Sequence, residues 1–167
     1  KPNIHTVDVS VVAYAKETIQ AYYDACIEAG LRPVSFEIEA QAMARSVVPK
    51  DADGAVMVVD FGKTRTGIGI VHRNTLLYTS TVDIGGDKLS QVLRKVVGDK
   101  PEAELTRIKN TQGLIRGVNS PEIRDTLMST VSVIKDELIT RMQYWHLRTG
   151  NHDDRRIDSV ILCGGSA

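Results

Sequence analysis

The chain has 167 residues, 42% of them hydrophobic, and its 21 basic and 21 acidic side chains cancel to no formal net charge. That balance leaves no basic excess for nucleic acid and no charged tail for a membrane surface, and no apolar run approaches the roughly 20 residues of a membrane span. The length suits one ordinary core, and Cys26 and Cys163 read as buried free thiols of a reducing compartment.

The predicted elements begin with a valine-rich strand over 7–14. A helix over 16–29 follows, with Ile19, Tyr22 and Cys26 on one side and Gly30 as its stop. A second strand over 33–38 leads into a short alanine-rich helix over 40–47. Strand–helix–strand–helix in so few residues reads as a parallel pair with a crossover helix. The polar stretch 49–54 is the best candidate boundary between two lobes. Three strands come next, over 55–61, 66–72 and 76–83, with Arg73-Asn74 turning between the last two. They read as an antiparallel meander that feeds a helix over 87–97.

One or two short helices are expected within 100–119. Ser120-Pro121 then makes a good helix start, serine as N-cap and proline at the first helical position. Ile123, Leu127, Val131, Ile134, Leu138, Met142 and Trp145 recur every three or four residues, the stripe of one helix of about 27 residues. A polar loop over 150–156 returns the chain to a last buried strand over 157–163.

The most informative stretch is the passage from the first strand of the meander to the second. An apolar run ends in Asp60; Gly62, Lys63, Thr64, Arg65 and Thr66 follow, and then a second apolar run with small residues at alternate positions. A buried strand, a tight turn and a returning strand can offer backbone N–H groups to phosphate oxygens, with a carboxylate left over for a metal ion. The same residues also make an ordinary hairpin turn. Lys63 and Arg65 either meet phosphate or face water. Two glycine pairs stand in comparable places: Gly85-Gly86, where a strand passes into an amphipathic helix, and Gly164-Gly165, with Ser166, closing the last strand. Glu39 either caps the 40–47 helix or faces this region. His5, His72, His146 and His152 share no metal-ligand spacing.

In that order and spacing the three elements resemble the second half of an actin-like ATPase core, the superfamily of actin, heat-shock chaperones and sugar kinases. Two upstream segments narrow the resemblance, the run from Val9 through Tyr14 to Tyr23 and the run Glu28-Ala29-Gly30-Leu31-Arg32-Pro33 leading to the alanine-rich helix. With Gln143-Tyr144-Trp145-His146 and the polar His-Asp loop before the last strand, they are similar to PilM, the actin-like assembly family of type IV pili. FtsA of bacterial cell division is a more distant likeness.

The resemblance implies an α/β, actin-like ATPase (ribonuclease H-like) fold. Residues 1–50 would be part of the first lobe and 51–167 most of the second, with a helical subdomain at about 99–150. It implies ATP and Mg2+ as cofactors. Asp60 would act on the metal indirectly, and Gly62, Lys63, Thr64 and Thr66 would lie near the β- and γ-phosphates. Gly85 and Gly86 would lie near the ribose, Lys109 on a helix bracketing the nucleoside, and Gly164, Gly165 and Ser166 against adenosine. Glu39 would take the catalytic place, orienting water or metal. One departure is visible: the glutamate usual three residues before the lysine is here Thr106, and Glu104 lies on another helical face.

The expected role is an ATP-binding scaffold, cytoplasmic and held at the inner membrane through partners, which organises the pilus assembly platform. Its expected partners are the cytoplasmic tail of a bitopic pilus protein (PilN-like) and other pilus assembly proteins, with no nucleic acid and no membrane span. An FtsA-like division scaffold and a sugar-kinase-type phosphotransferase are the alternatives. The first phosphate loop of the superfamily has no counterpart in the sequence, so the chain reads as an internal fragment, inactive alone and at most a slow ATPase when intact.

Overall fold

A computed structural model describes residues 9, 11–114, 121–149 and 155–166. The elements in chain order are α1 (Lys16–Glu28), α2 (Glu39–Val47), β1 (Ala55–Phe61), β2 (Thr66–His72), β3 (Thr75–Val82), α3 (Gly86–Val97), α4 (Glu102–Thr111), α5 (Pro121–Thr149) and β4 (Ile157–Cys163). The four strands form one sheet in the order β3-β2-β1-β4.

The unbroken apolar run of β1 explains its central place: every residue but Asp60 is buried, as in a strand covered on both faces. β2 pairs antiparallel to β1 from Ala55↔His72 to Phe61↔Thr66, and β3 pairs antiparallel to β2. Arg73 and Asn74 turn between β2 and β3 with φ of 48° and 60°, the double left-handed conformation of a tight hairpin whose twist matches its strands. β4 pairs parallel to β1, bringing Cys163 opposite Asp60. A parallel neighbour needs a long crossover, which α3, α4 and α5 supply.

Both faces of the sheet are covered. Ala55, Met57, Val59, Ile68 and Ile70 pack with Trp145, Leu138 and Met142 of α5. Val56, Val58 and Val71 pack with Ala44 and Val48 at the end of α2. A third cluster joins Leu93, Leu105 and Ile108 to Ile123 and Leu127. The expected stripe of α5 is therefore shared between two cores, its first half under α3 and α4 and its last half against the sheet. The Trp145 indole N–H donates to the Arg155 carbonyl at 2.7 Å, tying the end of α5 to the segment that opens β4.

Two expectations need correction. The strands read over 7–14 and 33–38 form no ladder among the described residues, although residues 7, 8 and 10 lie outside these. The described residues of both segments include apolar side chains in solvent: Val11 is 82% and Val34 95% exposed. Valine and isoleucine favour the pleated conformation only where a neighbouring strand and a packed face reward it. Consequently α1 lies between two unpaired segments and buries no residue. The N-cap at Ser120, the second short helix expected before it and most of the 150–156 loop also lie outside the described residues.

Candidate functional site

β1, β3 and β4 run in the same direction, so their carboxyl ends reach one edge of the sheet. The three glycine-bearing loops leave from that edge. The first, 62–65, is a tight turn in which the Gly62 N–H donates to the Arg65 carbonyl at 3.1 Å. The second enters α3: the N–H groups of Gly86 and Asp87 donate to the carbonyls of Gly62 at 3.0 Å and Lys63 at 2.8 Å. The third follows β4, and the Ser166 N–H donates to the Phe61 carbonyl at 3.0 Å. Loop two is thus hydrogen-bonded to loop one, and loop three to Phe61, the strand residue from which loop one leaves.

Glycine is required where they touch. A Cβ on Gly85 would lie 2.7 Å from the Arg65 nitrogen and closer still to the Lys63 carbonyl. Gly164 has φ of +105°, in the region other residues rarely adopt, and a Cβ there would strike the Asp60 carboxylate and the Phe61 carbonyl. Among the described residues, the N–H groups of Lys63, Thr64 and Arg65 meet no backbone acceptor. Three successive amides of a tight turn are the donor set that a phosphate oxygen needs.

Seven of the predicted site residues line two cavities, Glu39 and Asp60 one and Lys63, Gly86, Lys109, Gly165 and Ser166 the other, whereas Gly62, Thr64, Gly85 and Gly164 line neither. One, of about 420 Å³, is lined by Glu39, Asp60, Arg65 and Gly67 together with Val12 and Tyr14. Glu39 and Asp60 therefore share one wall-bound space, as their positions at the start of α2 and near the end of β1 require. Arg65 reaches across it to the Glu39 carboxylate at 3.5 Å, both side chains 63% exposed; such a pair contributes little to stability. Among the described residues no group of three or more His, Cys, Asp or Glu is placed to hold a metal. Two carboxylates are hard oxygen donors of the kind that suit Mg2+, which keeps most of its waters and takes its other ligands from phosphate.

The second cavity, of about 550 Å³, is lined by Lys63, Gly86, Lys109, Gly165 and Ser166 on its polar side and Leu89, Leu127 and Val131 on its apolar side. Lys63 and Arg65, two residues apart in the turn, thus face different cavities.

Thr66 lies in neither cavity. It is fully buried, and its hydroxyl donates to the Ile84 carbonyl at 2.6 Å. Its side chain ties the start of β2 to the segment that follows β3, so in this structure the hydroxyl is engaged by the fold itself. Thr64, by contrast, is exposed at the tip of the turn.

The sequence reading passed over three residues beside Lys109. Glu102 lines the larger cavity and accepts hydrogen bonds from Ser90 at 2.6 Å and Arg94 at 2.8 Å. The Ser90 hydroxyl, then the Lys109 and Arg94 charges, hold the Glu102 carboxyl below the usual glutamate range. Glu102 precedes Lys109 by seven residues, two helical turns, which places both on one face of α4. That spacing was the available signal.

Residues 1–167, the whole chain, match the family described as type IV pilus assembly protein PilM. Among solved structures, a PilM-PilN type IV pilus biogenesis complex is similar at 17% identity and a TM-score of 0.66, over 90% of this chain and 41% of that one. MreB5 of Spiroplasma citri bound to ADP is similar at 18% identity and a TM-score of 0.70, over 91% of this chain and 54% of that one. The ethanolamine utilization protein EutJ from Carboxydothermus hydrogenoformans is similar at 25% identity and a TM-score of 0.59, over 86% of this chain and 47% of that one. The fold is therefore the actin-like ATPase fold, and the chain spans about half the length of these solved relatives.

Proposed function

Because this chain belongs to the type IV pilus assembly protein PilM family, we propose that it forms the nucleotide-holding half of an actin-like scaffold in the pilus assembly platform. The observation that carries the reading is the junction of three glycine loops at one sheet edge, with the amides of Lys63, Thr64 and Arg65 left to a ligand. In open α/β sheets, ligands settle outside the carboxyl ends of the strands. On this reading those amides and Lys63 take the β- and γ-phosphates of ATP, and Gly85-Gly86 and Gly164-Gly165-Ser166 line the path to the nucleoside. The apolar wall and Lys109 take the nucleoside itself. Asp60 steadies a Mg2+ that arrives with the phosphates, and Glu39, on the far wall of the smaller cavity, orients water toward them once Arg65 releases it.

The division into two lobes, 1–50 and 51–167, with its boundary near 49–54 and a cleft between them, belongs to the same proposal. The scaffold role rests on the family and on the fold it shares with a protein solved together with PilN. The proposed partner is accordingly the cytoplasmic tail of a PilN-like bitopic protein. No described helix is long and apolar enough to cross a membrane, so attachment to the inner membrane is proposed to run through such partners. The test is a calorimetric titration of the full-length protein with a synthetic peptide of that tail, with and without MgATP. Saturable binding that responds to MgATP is expected; a full-length protein that binds neither peptide nor nucleotide overturns the reading.

A further inference from the structure

The larger cavity has an ionic floor that the three glycine loops do not contribute to. Ser90 and Arg94 stand one turn apart on α3, and Glu102 and Lys109 stand two turns apart on α4. Ser90 is almost wholly buried, with 1% of its surface exposed. Its hydroxyl donates to Glu102 Oε1 at 2.6 Å and accepts from Lys109 Nζ at 2.8 Å. Lys109 Nζ also lies 3.6 Å from Glu102 Oε1, and its side chain is only 18% exposed. Arg94 occupies the other carboxylate oxygen at 2.8 Å. Glu102, Thr106, Lys109 and Asn110 all line the cavity.

We propose that Glu102 and Ser90 are positioning residues that fix the Lys109 ammonium as the cavity's hydrogen-bond donor to a nucleoside. This rests on the nucleotide reading above and sharpens it.

The donor arithmetic leads there. Glu102 receives Ser90 on one oxygen and Arg94 on the other, with Lys109 close by, so each carboxylate oxygen is already engaged with a group that it holds in place. An ammonium carries three donors. One goes to Ser90 and one is drawn toward Glu102, which leaves the third for an uncharged acceptor in the cavity, a sugar hydroxyl oxygen or a base nitrogen. A lysine on a flexible four-carbon stem ordinarily loses much rotamer freedom on engaging a ligand. Here that freedom is already lost in the unliganded protein, which is the advantage of preorganisation. The ionised state of Glu102, favoured chiefly by the Ser90 hydroxyl, keeps the arrangement intact at neutral pH. The departure at Thr106 then has a physical account: the carboxylate that steadies the lysine comes from one turn further up the same helix.

A double-mutant cycle in the full-length protein, read by calorimetry with MgATP, tests this. Glu102→Gln and Ser90→Ala should each weaken MgATP about tenfold, and Lys109→Met should weaken it by a similar factor. In the Lys109→Met background, Glu102→Gln should cause no further loss. Ser90→Ala removes only one buried hydroxyl and leaves every charge in place, so it keeps the test open if the charge variant does not fold. If the losses multiply in the double variant, or if Glu102→Gln and Ser90→Ala leave the affinity within twofold of wild type, Glu102 merely braces α3 against α4 and the proposal fails. A wild-type protein that binds no MgATP overturns the nucleotide reading itself, a separate outcome.

Discussion

At the residue scale the site is governed by how closely three loops approach. Gly164→Ala should force its Cβ into the Asp60 carboxylate and the Phe61 carbonyl at a φ that alanine tolerates poorly. A loss of about 1–3 kcal/mol is expected, the ordinary range for an overpacked position, measurable by urea unfolding. Thr66→Val removes the donor to the Ile84 carbonyl from a buried position. It should cost about 1–3 kcal/mol of stability while leaving MgATP affinity per folded molecule unchanged, which separates a structural threonine from a phosphate ligand in one pair of measurements. Glu102 sets an acid limit. Its folded pKa is lowered, first by the Ser90 hydroxyl and then by Lys109 and Arg94. Its contribution to stability is therefore complete above the unfolded glutamate range and is lost as pH falls through the lower folded value. Melting temperatures of wild type and Glu102→Gln should differ at neutral pH and converge in acid below that range.

At the element scale, what was legible in the sequence was what local pattern determines. The β1–β3 meander, its Arg73-Asn74 turn and α5 carry their signals in consecutive residues: an apolar run, a turn pair and a three-or-four spacing. The 7–14 and 33–38 segments carry an equally strong β composition and pair with nothing described, because a ladder depends on a neighbour distant in sequence. The glycine loops were legible too, since glycine at a strand end announces a close approach. Of the group around Lys109, only the seven-residue spacing to Glu102 was visible; Ser90 and Arg94 come from α3, and the packing of that helix on α4 decides that they meet Glu102. α5 offers a check on the packing account. Trp145 is 3% exposed and closes the core against the sheet, whereas Leu147 is 85% exposed. Trp145→Ala should cost about 3–5 kcal/mol, a large aromatic lost from a core that cannot fully collapse, and Leu147→Ala should stay within about 0.5 kcal/mol of wild type.

At the scale of the whole molecule, the sheet order β3-β2-β1-β4 is what converts scattered motifs into a site. The parallel pairing of β4 with β1 sets Cys163 opposite Asp60, and the loop that follows β4 is thereby brought onto the loop that follows β1. Of the two cavities, one is lined by Glu39 and Asp60 and the other by Lys63, Glu102, Lys109 and the apolar wall. On the proposed reading, the triphosphate crosses the junction, with the metal on the Asp60 side and the nucleoside on the Lys109 side. The most direct test is calorimetry of MgATP binding to the full-length protein and its Asp60→Ala variant, each with magnesium and with EDTA. The account predicts magnesium-dependent binding by wild type and at least about tenfold weaker binding by the variant, the loss of one charge-assisted contact to the hydrated metal. Equal affinity in the two proteins, or wild-type binding indifferent to EDTA, would contradict it.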